Sequence, residues 1–177
     1  MNEIIERYEY KYLLPARLVP AVREAALATS HIDRYADPDG TYRIRSLYLD
    51  TAARDLYWAN EREQADRMKL RVRIYPGKSS PVFLEVKRRI LDVIVKTRAA
   101  VPAASWQRLL QLDEEAFTAL PPGVRSGARL FCMHVAQHHL EPVLLVEYER
   151  EAYVSEVDSY ARLTFDRKIS AQPCNQL

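Results

Sequence analysis

The sequence predicts an α+β fold, a single domain over residues 1–177. Its antiparallel strands curl into a barrel that forms a tunnel, with charged faces inside and helices packed outside. Three observations predict this. The strands come in runs and do not alternate one by one with helices, which argues against a doubly wound parallel sheet. Five strands carry a row of charges rich in Arg and Lys on one face, as in Lys69, Arg71 and Arg73 against the apolar Leu70, Val72 and Ile74. Like charges on neighbouring strands repel, so a sheet this rich in bases is self-destabilising unless an anion neutralises it. An inverted barrel gives that anion a place and leaves the apolar faces to be covered by helices.

The elements follow in chain order. "ERYEYKYLL" (6–14) is expected as a first strand, with Arg7, Glu9 and Lys11 on one face and Tyr8, Tyr10 and Tyr12 on the other. Pro15 ends it. A helix is expected over 19–29, with Pro20 tolerated in its first turn. "ADPDG" (36–40) is a turn. A long second strand covers 41–51 and a short helix 52–63. "RMKLRVRIYP" (67–76) and "PVFLEVKRR" (81–89), joined by "GKSS", form a hairpin. A fifth strand covers 93–101, helices fill 103–140, and strands cover 142–155 and 160–169. Trp58 and Trp106 sit at apolar helical spacing and are expected in the core.

Composition narrows the function. Hydrophobic residues make up 48% of the chain, as in a globular protein. The formal net charge is +2, from 26 bases and 24 acids, which argues against a general nucleic-acid or membrane-surface binder. Cys132 and Cys174 are too few for a disulfide scaffold, and Cys132 lies in an apolar helical stretch, so a reduced, buried thiol and a cytoplasmic protein are expected. The N-terminus shows no signal-peptide pattern, and no segment approaches the length that crosses a bilayer. His134 and His138 lie four apart without the Glu of an H-E-x-x-H site, and read as a solvent-facing helix surface.

The charged rows point to a polyanion. Lys69, Arg71 and Arg73 share a face, as do Glu85, Lys87 and Arg89, then Lys96 with Arg98, and Arg162 with Thr164 and Asp166. Arg offers planar forks to phosphate oxygens and Lys a point charge. With no Gly-rich phosphate loop, the ligand is a linear polyphosphate or a nucleotide triphosphate held from several walls. Glu9 and Glu85 lie on the same faces. Each has two readings of equal weight: an oxygen ligand to a divalent metal, or an ion-pair partner of the neighbouring base. Spacing does not decide whether Tyr148 and Arg150 or Glu147 and Glu149 face inward. Nor does it decide between Ser46, Tyr48 and Asp50 and the opposite face with Arg43 and Arg45.

The motifs "RYEYKYLL", "RSLYLDT", "KLRVRIY", "VFLEVKRR", "VKTRA", "EYEREAY" and "RLTFDR" resemble, in order and over most of the chain, those of the triphosphate tunnel metalloenzymes. Within them the likeness is to the vacuolar transporter chaperone (VTC) type of polyphosphate polymerase domain. The resemblance implies a Mn2+- or Mg2+-dependent phosphotransferase that passes the γ-phosphate of ATP to a polyphosphate chain threaded through the tunnel. It implies that Lys11, Arg71, Arg73, Lys87, Tyr148 and Arg150 hold phosphates, with Lys69, Lys96, Arg98 and Arg162 on the same walls. Lys87, Arg71, Arg73 and Arg150 would act on the transferred group, and Glu9 and Glu85 match the inward acids that could bind metal. The Y-x-R pattern turns Tyr148 and Arg150 inward. ATP or another nucleoside triphosphate and inorganic polyphosphate are the implied partners, without nucleic acid or membrane insertion, and with any membrane-protein partner unidentified. A triphosphatase on the same tunnel, or a non-catalytic polyphosphate-binding module, are the alternatives. Two departures stand out. The first acid of the hydrolase-type E-x-E-x-K is Arg7 here, which favours the polymerase type. No E-x-K strand follows the seventh strand, so the tunnel is expected to lack the wall that would bring a metal-binding Glu.

Overall fold

The alternation of charged and apolar residues is expressed in the strands over 66–74, 82–90 and 93–101. The structure is a computed structural model and describes residues 10–77, 81–158 and 161–173. The fold is α+β with antiparallel strands. The described residues divide into two compact units, one within 45–146 and 170–173, the other within 10–44 and 147–169.

In the first unit, β2 (Thr41–Asp50), β3 (Asp66–Ile74), β4 (Val82–Ile90) and β5 (Val93–Val101) form an antiparallel meander. The β4–β5 connection is a two-residue turn, with Ile90 paired to Val93 and Leu91 at φ 53. The register places Leu47, Val72, Leu84 and Ala99 in one cross-strand row, and Leu49, Leu70, Val86 and Thr97 in the next. This face is the core. Helices α3 (Trp106–Leu110), α4 (Glu114–Thr118) and α5 (Pro122–Gln137) supply Leu109, Phe117, Ala128, Phe131 and Cys132 to cover it. Helix α5 approaches β5 closely at Gly127, where an added Cβ would lie 3.3 Å from Thr97 Cγ2 and 3.4 Å from Ala99 Cβ. Asp113 caps α4, its carboxylate accepting from the backbone N–H groups of Glu115 and Ala116. Asp50, at the end of β2, accepts from the N–H groups of Leu56 and Tyr57 at 2.9 Å each and so fixes the start of α2 (Asp55–Glu61).

In the second unit, α1 (Val19–Leu27) follows a 3-10 turn at Ala16–Leu18. Strand β1 (Ser30–Ile32) pairs with the end of β6 (Glu141–Ser155), and β6 pairs with β7 (Arg162–Pro173). Glu151 on β6 ties these pieces together: it accepts from Arg23 of α1 at 2.6 Å, lies 3.2 Å from Arg167 of β7, and accepts from the hydroxyl of Tyr153.

Four expectations change. Residues 6–9 of the expected first strand, Glu9 included, lie outside the described residues. Its described remainder, Tyr10 to Leu14, is in no strand, and Tyr10, Tyr12 and Leu13 are exposed. Alternation makes a strand only where a neighbouring ladder and an apolar surface take it up. Strand β1, too short to show alternation, escaped the sequence reading. Strand β7 extends to Pro173, past the last alternating residues. Trp58 is half exposed, edge-on to Tyr57 with Arg62 over its ring, while Trp106 packs against the core.

Candidate functional site: a basic sheet face around Glu85

The face opposite the core carries the charge. Successive cross-strand rows there read Ser46, Arg73, Phe83 and Ala100; then Tyr48, Arg71, Glu85 and Arg98; then Lys69, Lys87 and Lys96. Rows on one face are two residues, or about 6.7 Å, apart along the strand. The sequence left the orientation of β2 open. Pairing resolves it, since Ser46 and Tyr48 stand opposite Arg73 and Arg71.

Glu85 sits at the centre, with its side chain 3% exposed. Arg71 Nε donates to Oε2 at 2.6 Å. Arg98 Nε and Lys96 Nζ lie 3.2 and 3.4 Å from Oε1, and Arg73 Nη1 lies 4.0 Å from Oε2. Oε1 is buried and accepts no well-formed hydrogen bond. Burial alone pushes the carboxyl up, but the charges of Arg71, Lys96 and Arg73 and the Arg71 hydrogen bond outweigh it and hold it at about 2. Lys96 is lowered by burial first, then by its neighbours Arg71 and Arg98, with Glu85 opposing.

The arginines have further orienting partners. Arg71 Nη1 donates to Tyr48 Oη at 3.0 Å, and the buried Arg73 donates through Nε to Ser46 Oγ at 3.1 Å. The Arg98 guanidinium stacks 3.7 Å over the Phe83 ring and donates to Tyr75 Oη at 3.3 Å. Each fork is therefore held in a defined plane. Beside them, Lys69, Lys87 and Lys96 occupy directly opposed positions on three strands, where like charges repel. All three are exposed.

The remaining candidate residues belong to the second unit. Arg150 forms a two-bond pair with Asp166, both contacts 2.7 Å, and lies 5.2 Å over the Tyr148 ring. Burial opposes the Arg150 charge, while the Asp166 hydrogen bond and the neighbouring tyrosines raise it. Lys11 and Arg162 are exposed. The sequence left the facing of Ser46 and Tyr48 open, because only register reveals which β2 face meets the arginines, and it gave Tyr75 and Phe83 no role.

The scan against known families decides the kinship: the VTC domain matches residues 6–175. The chain belongs to the VTC domain family. VTC membership supports a polyphosphate-related, phosphoryl-transfer role. No curated protein matches the chain. Among solved structures, it is similar to a candidate adenylate cyclase from Bacillus halodurans, at 15% identity and a TM-score of 0.49. The match covers 85% of this chain and 64% of the other, and a likeness that low carries no argument.

Other groups play no part on this face. His134 and His138 stack at 5.9 Å, and burial, then His138 and Arg88, lower His134. Burial pushes the Cys132 thiol up to about 12, as for an inert structural cysteine. Among the described residues no three His, Cys, Asp or Glu side chains gather as a metal cluster, and no helix is long and apolar enough to cross a membrane.

Proposed function

We propose that this VTC domain binds the triphosphate of ATP and a linear polyphosphate on its basic strand faces, within a tunnel, and transfers the γ-phosphoryl group to the chain end. The observation that carries this reading is the ring of fixed cations around Glu85, continued one row away by three lysines. Phosphoryl transfer requires in-line positioning and neutralisation of charge on the transferred group. Forks held in plane by Tyr48, Ser46 and Phe83 supply both without a nucleophilic side chain.

In this reading Arg71, Arg73 and Lys87 grip the transferred group and Lys69, Lys96 and Arg98 hold neighbouring phosphates; in the second unit Arg150, Lys11, Tyr148 and Arg162 are the proposed phosphate-binding residues. The acceptor is already an anion, so no general base is assigned. A divalent Mn2+ or Mg2+ ion would arrive on the phosphate oxygens of the substrate. The place of work is the cytoplasm, where ATP is available, and a membrane-protein partner remains open to discovery.

Incubation with ATP and manganese, followed by sizing of the products, tests the reading. Chains longer than the triphosphate support it. Free phosphate alone would make the protein a triphosphatase, and tight polyphosphate binding with neither product would make it a binding module.

A further inference from the structure

Glu85 occupies the position where the family resemblance suggests a metal ligand, yet its surroundings are those of a counter-ion. Four cationic side chains reach within 4.0 Å of its two oxygens. The one oxygen without a formed hydrogen bond, Oε1, is flanked by the Lys96 ammonium and the Arg98 guanidinium. A Mn2+ or Mg2+ ion at the usual distance of about 2.1 Å from Oε1 would sit against both. Such ions gather several oxygen ligands, and among the described residues Glu85 belongs to no group of three or more His, Cys, Asp or Glu side chains. Residue 85 therefore does not fit a protein-held divalent cation. The same geometry fits another task. A dense patch of Arg and Lys repels itself, and one buried carboxylate on the middle strand offsets that repulsion while the site is empty.

We infer that Glu85 is the resident counter-anion of the basic face. It orders Arg71, Arg73, Lys96 and Arg98 for a phosphate group that takes over their charge, and it leaves the divalent cation to the substrate. This rests on the reading of that face as a phosphate site. It makes Glu85 a positioning residue that opposes anion binding electrostatically even as it organises the donors. The consequence has an unusual sign. Glu85→Gln keeps the shape and an acceptor for Arg71 but removes the charge. It should therefore strengthen metal-free phosphate binding, whereas loss of a metal ligand would leave that binding unchanged, and loss of a needed scaffold would weaken it.

The test is thermal shift and calorimetry on the full chain, with inorganic tripolyphosphate in chelator and with manganese alone as probes. The expected results are a lower melting temperature for unliganded Glu85→Gln, about threefold or greater tightening for tripolyphosphate, and no stabilisation of wild type by manganese alone. The inference is overturned if manganese alone stabilises wild type and Glu85→Gln abolishes that effect, or if Glu85→Gln binds metal-free tripolyphosphate equally or more weakly. Should Glu85→Gln not fold, Glu85→Gln with Lys96→Gln removes one charge of each sign. It should bind tripolyphosphate no more weakly than Lys96→Gln alone, and weaker binding would sink the inference. Wild type that ignores tripolyphosphate, or Arg71→Ala with Arg73→Ala that binds it unchanged, would instead remove the phosphate-site reading beneath it.

Discussion

Arg71 and Glu85 face each other across β3 and β4, and this pair sets the residue-scale behaviour of the site. A carboxyl held at about 2 against an ordinary 4.5 contributes on the order of 3 kcal/mol. Because its folded value is depressed, that contribution is fully present above about pH 4.5 and is lost as pH falls toward about 2. Acid unfolding of wild type and Glu85→Gln should therefore converge across this window, and curves that stay parallel through it would contradict the assignment. Tyr48→Phe removes one hydrogen bond to Arg71 while keeping the ring. Tripolyphosphate affinity should fall by about 2- to 10-fold with little change in melting temperature, read by calorimetry.

At the element scale, two contacts govern how the charged face is mounted. Asp50 holds the start of α2 by two backbone N–H groups, and Asp50→Ala should cost about 1–2 kcal/mol in chemical denaturation. Gly127 lets α5 lie against Thr97 and Ala99, so Gly127→Leu should cost about 1–3 kcal/mol by overpacking. The β3–β4 hairpin and the facing of β3, β4 and β5 were legible in the sequence because alternation over nine residues fixes which side chains share a face, whereas the two-residue β4–β5 turn was not. The facing of β2 was not, since Ser46, Tyr48 and Asp50 alternate with residues that look equally plausible inside or out. Only pairing with Arg73 and Arg71 settles it. Residues 10–14 have the alternation of a strand and lie in none. Lys87 and Lys96 were legible as basic positions, but that they oppose one another directly is a matter of register.

At the scale of the whole molecule, the net charge of +2 conceals a strong local field. A field of this kind is screened by salt over about 8–10 Å, so tripolyphosphate affinity should drop steadily between low and physiological ionic strength. With the arginine and lysine rows about 6.7 Å apart, a longer chain can engage both at once. Long-chain polyphosphate should bind more tightly than tripolyphosphate, and Lys69→Gln with Lys96→Gln should erase most of that advantage in competition titrations.

The central claim is that the basic face of the β3–β4–β5 sheet is where phosphate binds. Calorimetric titration of inorganic tripolyphosphate into wild type and into Arg71→Ala with Arg73→Ala tests it most directly, with melting temperatures checking that both are folded. Wild type should bind, and the double variant should lose about 100-fold or more in affinity, each charged hydrogen-bonding partner contributing about tenfold. Equal affinity in the two folded proteins would contradict it.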